Sequence, residues 1–370
     1  MIAAQPVSSH QEAIATAWPP SVTLCVINHN GARHLPASLG AIGTQTMPLA
    51  EILLVDDAST DDSIPIALHA CPGLRVIRLA RNAGPGAARN AGFQAARHDL
   101  ILFVDNDVQL EATAAACLVA RWRSRPGTLA VAPRVLYAET PGIVQFDSAD
   151  CHFLGLMATH NADRRAQDLD DEAALTTSLV TASFLIDRAR WQGVRPFDES
   201  MGFNLEDHDF GVRARLAGHS VWIEPKARAR HGSGTPGLSY RPGMLPTPQR
   251  LFYLTRNRWI VITKCYSTRT LALLAPALLL FELMQFAWLA SQGHPGVWWR
   301  ACGSYLRRFG ALRASRAATQ RLRTVRDGTI LRDAPLPLTR HARSGLLGRY
   351  LAPCADRMLR GYWQRVRGLV

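Results

Sequence analysis

Two acidic residues that follow a strongly apolar stretch are the clearest candidates for chemistry in this sequence. Residues 100–104 read Leu-Ile-Leu-Phe-Val, and Asp105, Asn106 and Asp107 follow without a turn residue. Such an apolar run is typical of a strand buried in a parallel sheet. Residues i and i+2 of an extended chain point the same way, so Asp105 and Asp107 could bind one Mg²⁺ or Mn²⁺ ion through oxygen ligands. The alternative is a solvated turn, where Asp and Asn are ordinary residues.

Similar polar clusters follow two other apolar runs. Asn28, His29 and Asn30 come at the end of VTLCVIN and just after it, and Asp56 and Asp57 end the run EILLVDD. Stretches with helical spacing, such as 61–71 and 86–97, lie between the runs. This alternation predicts an α/β fold with a mostly parallel sheet and helices on both faces. Ligands bind beyond the carboxyl ends of such strands, so the clusters are predicted to meet at one edge.

A glycine-rich segment, RNAGPGAARNAG at 81–92, invites comparison with a dinucleotide-binding motif. Arg89 occupies the third glycine position, and the segment follows the third predicted strand instead of the first. These two departures argue against a Rossmann dehydrogenase. The glycines still allow the backbone to approach a ligand closely, and Arg89 could reach a phosphate or a base.

The positive charge of the chain is confined to its C-terminal part. Residues 300–370 contain sixteen arginines and three aspartates, a local excess that equals the formal net charge of +13 for all 370 residues. The remainder is neutral, which argues against a nucleic-acid-binding body and favours a tail that meets an anionic membrane surface. The seven cysteines form no CxxC pair, so neither a disulfide nor a zinc framework is predicted.

An apolar stretch at 270–290 precedes the arginine-rich tail and is long enough to cross a bilayer. Pro276 and Glu282 disfavour a simple span, so we expect a helix that lies in or dips into the membrane plane, the alternative being a buried core helix. The first twenty residues lack the pattern of a secretory signal. The predicted organisation is a loose leader, a catalytic α/β domain in two halves, and a C-terminal helical membrane-associating region: 1–20, 21–240 divided near 136, and 241–370.

Five motifs occur in the order seen in family 2 glycosyltransferases, and the sequence resembles that family over about residues 20–235. The motifs are TLCVINHNGARHL, ILLVDDASTDDS, NAGPGAARNAG, LFVDNDV and EDHDFGVRARLAG. The resemblance implies the GT-A fold, a Rossmann-like mostly parallel sheet, and an inverting transfer from a nucleotide sugar. It further implies a base-binding role for Asp57 and a metal-binding Asp-x-Asp at Asp105 and Asp107 that holds the donor diphosphate. Other residues expected to line the donor pocket are Asn30, Arg81, Asn82 and Arg89.

The same resemblance assigns roles in the second half of the chain. Asp207 corresponds to the catalytic base, and His231 stands where a histidine approaches the metal or the diphosphate. The segment YLTRNRWIVITK is similar to transferases that build bacterial surface polysaccharides, including rhamnosyltransferases, so Arg256 and Arg258 are expected to meet an acceptor phosphate or lipid headgroups. The sequence TASFLIDR replaces the usual Gly-Ala pair and leaves the donor sugar and the acceptor open.

Together these features predict a Mg²⁺- or Mn²⁺-dependent inverting glycosyltransferase of surface polysaccharide synthesis. Its predicted partners are a nucleotide-sugar donor, a glycan or lipid-linked acceptor and the anionic surface at the cytoplasmic face of the inner membrane, and no nucleic acid. Two alternatives are a nucleotidyltransferase that makes nucleotide sugars and a non-catalytic membrane scaffold. The first would normally carry a Gly-rich basic loop where this chain has NHNGARHL, and the second would be expected to have lost some of the carboxylates.

Overall fold

A mixed sheet of ten strands forms the centre of the protein. The computed structural model describes residues 20–191, 195–232, 234, 246–337 and 352–370. Most of the predicted leader therefore lies outside the described residues. The strands, in chain order, are β1 Val22–Asn28, β2 Glu51–Asp56, β3 Arg75–Arg78, β4 Leu100–Asp105, β5 Val108–Leu110, β6 Thr128–Tyr137, β7 Val144–Phe146, β8 Ala149–His152, β9 Met157–Thr159, β10 Ala174–Leu175, β11 Ser183–Asp187, β12 Ser220–His231 and β13 Leu331–Arg332.

One side of this sheet consists of parallel strands. The strand order is β10-β12-β6-β11-β4-β1-β2-β3, with β5 added to β12 and β7 added to β6. Strands β4, β1, β2 and β3 are parallel neighbours, whereas β11 runs antiparallel between β4 and β6. The apolar strands β1 and β4 are buried almost completely because helices cover both faces of the sheet. The predicted mostly parallel α/β sheet is confirmed.

Ten α-helices are present in the described residues. Two begin where the sequence supplies a cap: Thr247 accepts a hydrogen bond from the Arg250 N–H and is followed by Pro248, and Ser267 accepts one from Thr270 N–H. The helices are α1 Leu35–Gly43, α2 Ser63–Ala70, α3 Pro85–Ala95, α4 Ala114–Ser124, α5 Glu206–Leu216, α6 Pro248–Cys265, α7 Thr268–Ser291, α8 Pro295–Arg307, α9 Phe309–Leu322 and α10 Ala352–Val366.

The C-terminal region, residues 241–370, packs directly on the α/β domain, residues 21–240. Strand β13 pairs with β8 in a second sheet of order β13-β8-β9. One apolar cluster contains Phe153 and Val212 from the α/β half together with Phe281 and Trp363 from helices α7 and α10. Phe153 and Trp363 stack with ring centroids 5.1 Å apart. The described parts of 241–370 therefore share a hydrophobic core with 21–240.

Helix α7 covers the predicted apolar stretch and is long and apolar enough to cross a membrane. Its acidic residue is not isolated: Glu282 forms an ion pair with Arg258 and accepts hydrogen bonds from the indole N–H groups of Trp259 at 2.8 Å and Trp298 at 3.3 Å. These contacts fix one side of α7 on helices α6 and α8. Leu279 and Leu283 of the same helix are exposed, at 62% and 60% accessibility.

Candidate functional site

The polar strand ends meet at one edge of the sheet, as the sequence predicts. In the parallel register Asn28 stands opposite Asp56, and Ile27 stands opposite Asp105. Asn28 donates from its amide to Asp56 at 2.8 Å, and Ser59 Oγ also contacts both residues. The carboxyl ends of β1, β2 and β4 thus form a connected polar surface.

The segment Asp105-Asn106-Asp107 is held by its middle residue. Asn106 donates from Nδ2 to Asn28 Oδ1 at 2.8 Å, which turns it towards β1. A Cβ atom at Gly31 would lie only 2.1 Å from that Nδ2 atom, so only glycine leaves room for this contact. The orientation of the acidic pair therefore depends on Asn28, Gly31 and Asn106 together.

Asp107 is paired with His231 by the sheet itself. Strand β5 follows Asp107 directly and pairs with the end of β12, with Val108 opposite His231. His231 Nε2 lies 3.3 Å from Asp107 Oδ1, and the Gly234 N–H donates to Asp107 Oδ2 at 2.6 Å. Burial opposes ionisation of this carboxyl, but the contacts with His231 and Gly234 outweigh it and lower the pKa of Asp107 to about 2. Asp107 is therefore ionised at any working pH.

Arg89 compensates the other carboxylate of the pair. Its buried guanidinium donates from Nη2 to Asp105 Oδ1 at 2.7 Å and to the Thr181 carbonyl at 3.0 Å. Its Nη1 atom lies 3.2 Å from Glu206 Oε1. Burial raises the pKa of Asp105 despite the opposing charge of Arg89. Arg89 thus joins the strand-end carboxylate to the acidic residues at the start of α5.

Glu206 and Asp207 occupy different environments at the N-terminus of α5. Glu206 is buried, and its Oε2 atom has no hydrogen-bond partner in the described part of the chain. Burial and the neighbouring Asp207 charge raise the pKa of Glu206, and burial also raises the pKa of Asp207. Asp207 is only half-buried and lines the open cleft. Of the two, Asp207 is the carboxylate that a ligand in the cleft can reach.

A cleft of about 920 Å³ brings most of the predicted site residues together. Eight of the eleven line it: Asn30, Asp57, Asn82, Arg89, Asp105, Asp107, Asp207 and His231. Arg81 was also predicted to line the donor pocket, but it lies exposed on the surface and is not part of the cleft wall.

Asp57 holds together the part of the cleft wall that is formed by the end of β2 and the loop after β3. Its two carboxylate oxygens accept hydrogen bonds from the N–H groups of Ala83 and Gly84, both at 2.8 Å. His29 lies between the Asp57 carbonyl oxygen and the Asn82 amide, at 2.7 and 2.9 Å. Burial raises the pKa of Asp57 even with these donors present. The loop after β3 is therefore fixed against the end of β2.

Arg256 and Arg258 do not occupy the positions expected for contacts with an acceptor phosphate or lipid headgroups. Arg256 is 4% and Arg258 is 1% exposed, and neither lines the cleft. Arg256 donates to the Met201 carbonyl at 2.5 Å, while Arg258 donates to the Leu154 carbonyl at 2.7 Å and pairs with Glu282. Both guanidinium groups are buried and hydrogen-bonded within the protein, so the expected phosphate contact is not supported.

The donor set around Asp105 and Asp107 is compatible with a divalent cation. Carboxylate oxygens suit Mg²⁺ and Mn²⁺, which usually keep positions open for water and substrate phosphates. No group of three or more acidic, His or Cys side chains in the described ranges converges as a complete metal site. The assignment of such an ion to Asp105, Asp107 and His231 therefore stays a prediction.

The cleft also contains residues that sequence reasoning missed. His34 follows the loop after β1, and Tyr253 and Leu254 project from the first turns of α6. Gln249 and Tyr253 are four residues apart in a segment with a Thr-Pro helix start, which is the pattern that could have placed them on one helix face. No local signal links α6 to this edge of the sheet.

Sequence comparison identifies the N-terminal part of the α/β domain. Residues 23–169 match the profile of glycosyl transferase family 2. The chain carries a family 2 glycosyltransferase domain. The domain is 39% identical over 90 residues to the succinoglycan biosynthesis protein ExoO of Rhizobium meliloti and 37% identical over 95 residues to the putative glycosyltransferase EpsH of Bacillus subtilis. These alignments cover 24% and 25% of this chain and only 26% and 27% of the two relatives.

Solved structures extend the similarity to the rest of the fold. This chain superposes on S. aureus TarS 1–349 in complex with UDP-GlcNAc with a TM-score of 0.52 at 14% identity, covering 93% of this chain and 92% of TarS 1–349. The structure of GalNAc-T7 with UDP, GalNAc and Mn²⁺ gives a TM-score of 0.51 at 18% identity and covers 68% of this chain and 48% of that one. At these identities the comparisons establish the fold.

Proposed function

We propose that this protein transfers a sugar from a nucleotide-sugar donor to a hydroxyl group of a glycan acceptor, with inversion at the anomeric carbon. The observation that carries the proposal is the convergence of Asp57, Asp105, Asp107 and Asp207 on one cleft. Arg89 connects two parts of this set, because it contacts both Asp105 and Glu206. The superposed TarS and GalNAc-T7 structures contain UDP-GlcNAc or UDP, which supports a nucleotide-linked donor.

Each residue of the cleft has a role that follows from its surroundings. Asp57 and the loop that it fixes at residues 83–84 form the wall for the nucleotide. A divalent ion held by Asp105 and Asp107 would stabilise the charge of the departing diphosphate. Asp207 accepts the proton of the acceptor hydroxyl while the oxygen bonds to the anomeric carbon and the bond from that carbon to the diphosphate breaks. Its raised pKa makes Asp207 a stronger base than an exposed aspartate.

Stabilisation by one class of donor is the expected result of a thermal-shift panel. UDP-, GDP- and dTDP-sugars are tested with Mn²⁺, since a ligand that binds only the folded state raises Tm. Product analysis with the stabilising donor and a glycan acceptor should then show a free nucleoside diphosphate. Pyrophosphate as the product or co-substrate would instead identify a nucleotidyltransferase, and no stabilisation by any donor would contradict the donor site.

We further propose that the protein works at the cytoplasmic face of the inner membrane on a lipid-linked glycan. Leu279, Leu283, Phe286 and Trp299 form an outward-facing apolar surface, here named the α7–α8 patch. Trp299 is 63% exposed and contacts Phe286, with ring centroids 6.2 Å apart. Exposed Arg300 directly follows Trp299 in α8. Apolar side chains beside basic ones are typical of surfaces that bind anionic bilayers.

Binding to anionic liposomes should depend on the α7–α8 patch. We expect the full chain to co-sediment with phosphatidylglycerol vesicles and to do so less as salt rises. Leu283→Glu should reduce binding by about tenfold or more, because it places a charge in the apolar contact. Leu175→Glu is the matched control, since Leu175 is also an exposed leucine, at 51%, on strand β10. Equal binding by all three proteins, or none by the wild type, would contradict the membrane proposal.

A further inference from the structure

The loop that leads into the helix bearing Asp207 has an unusual backbone conformation. Residues 201–205 connect the 3₁₀ helix Glu199–Met201 to α5. Gly202, Asn204 and Leu205 have φ angles of 70°, 63° and 66°. The left-handed region is unfavourable for a residue such as leucine, which has no polar side chain to stabilise it. Such a conformation persists only where the surrounding structure holds it.

The side chain of Asn257 on α6 supplies that support. Asn257 is fully buried. Its Nδ2 atom lies 3.0 Å from the carbonyl oxygen of Met201, 2.9 Å from that of Phe203 and 2.6 Å from that of Asn204. The two N–H bonds of this one amide group are therefore shared among three carbonyl oxygens of the 201–205 loop, just before α5 begins at Glu206.

Arg256 fixes the orientation of this amide. Its Nε and Nη2 atoms lie 2.9 and 2.8 Å from Asn257 Oδ1, and Nη2 also donates to the Met201 carbonyl at 2.5 Å. A guanidinium has donors and no acceptor, so the Asn257 oxygen must face it and the NH₂ group must face the loop. The buried guanidinium of Arg256 therefore orients the neutral side-chain amide of Asn257.

The other side of the loop is confined by close packing. A Cβ atom on Gly84 would lie 2.7 Å from the Gly202 carbonyl oxygen, and one on Gly202 would lie 3.2 Å from the ring of Tyr253. Gly84 is itself bound to Asp57 through its N–H. The loop is therefore fixed between the nucleotide wall and helix α6, with little room for an alternative path.

We infer that Asn257, oriented by Arg256, is a positioning residue that sets the location of Asp207 in the cleft. The inference rests on the proposed function, in which Asp207 removes the acceptor proton. It assigns a catalytic consequence to α6, which lies beyond the 23–169 segment that matches the family profile. The contacts of the Asn257 amide with the 201–205 loop fix the start of α5, and Asp207 is the second residue of that helix.

Kinetics of Asn257→Asp and Asn257→Ala test this role. The first replaces the donor with a carboxylate that faces three carbonyl oxygens, and the second removes the side-chain contacts. We expect kcat to fall by about 100-fold in both, because a misplacement near 1 Å can have that effect, while donor Kd stays within about threefold. Asn257→Ser, which keeps one donor, should recover part of the lost kcat.

Gln320→Glu is the matched control. Gln320 Nε2 donates to the carbonyls of Lys264 and Cys265 at 2.8 and 3.3 Å, and its Oε1 accepts from Arg323 Nε at 2.9 Å. This is a comparable arrangement at the C-terminal end of α6, and none of these contacts involves the 201–205 loop. The control should keep kcat within about threefold of the wild-type value, even with a lowered Tm.

Hydrogen exchange separates this inference from the proposed function. Backbone amides of residues 201–207 should exchange faster in Asn257→Asp than in the wild type and Gln320→Glu, with protection in β4 unchanged. Unchanged exchange or unchanged kcat would overturn the inference, as would a loss of kcat that only follows Tm in all variants. If the wild type shows no sugar transfer with any donor, the proposed function fails, and the exchange result still decides whether Asn257 places the loop.

Discussion

Replacing Asp207 with asparagine should lower kcat by about 10²–10⁴-fold and leave donor affinity within about threefold of the wild-type value. Asparagine keeps the size of the side chain but cannot accept the acceptor proton as a base. Asp207 is not one of the two carboxylates, Asp105 and Asp107, that are proposed to hold the cation, so donor binding should persist. Steady-state kinetics and calorimetry, with the donor that the thermal-shift panel selects, measure the two quantities separately.

The pH dependence of kcat provides an internal check on Asp207. Burial raises its pKa above the ordinary aspartate value. A base is lost when it takes up a proton, so kcat should fall as the pH decreases through this raised pKa, and Asp207→Asn should abolish that limb. Asp62→Asn, an exposed aspartate just before α2, is the control and should behave as the wild type. A variant Asp207→Asn that keeps more than about a tenth of wild-type kcat would exclude the base role.

Replacing Asp107 with alanine should weaken Mn²⁺-dependent donor binding by about 100-fold or more, at the upper end of what changes around a metal site produce. The pKa of about 2 keeps Asp107 ionised, so its charge is available to a cation at neutral pH. Calorimetry with Mn²⁺ and with EDTA measures the effect. The wild type in EDTA should resemble Asp107→Ala in either buffer.

A matched aspartate elsewhere in the chain controls for the loss of a His-paired carboxylate. Asp150 accepts from the Thr177 N–H at 3.0 Å and lies 3.1 Å from His160 Nε2, as Asp107 does with Gly234 and His231. It does not line the cleft. Asp150→Ala should therefore retain Mn²⁺-dependent donor affinity. Donor affinity that is unchanged in Asp107→Ala, or insensitive to EDTA in the wild type, would rule out the metal assignment.

The charge pairing in the cleft could not be predicted from the sequence. Asp105 and Asp107 suggested one shared cation, because two adjacent carboxylates at a buried strand end need compensation. Each has its own protein partner in the structure: Arg89 contacts Asp105, and His231 contacts Asp107. A metal ion would therefore join a site that is already neutralised in part.

The partners of the α6 arginines could not be predicted from the sequence either. A basic segment suggested contact with phosphate, since Arg256 and Arg258 flank Asn257 in a helix near a predicted membrane region. Folding instead places Arg258 against Glu282, an acidic residue that argued against a membrane span when considered alone. Arg256 orients Asn257 towards the loop before α5. Whether a charge is free or satisfied depends on residues far away in the chain.

The sequence by itself determined the strands β1, β2 and β4, the helices α2 and α3 and the edge of the sheet at which the site lies, whereas short strands such as β5, β7 and β13 were not predicted. Apolar periodicity and caps are local properties, and parallel strands with polar carboxyl ends allow few arrangements. Tertiary structure decided which side chains meet there, because Arg89 and Glu206 are 117 residues apart and Arg258 and Leu154 are 104 apart. Such contacts arise from how strands cross and how α6 packs behind the cleft. No pattern within a single element encodes them.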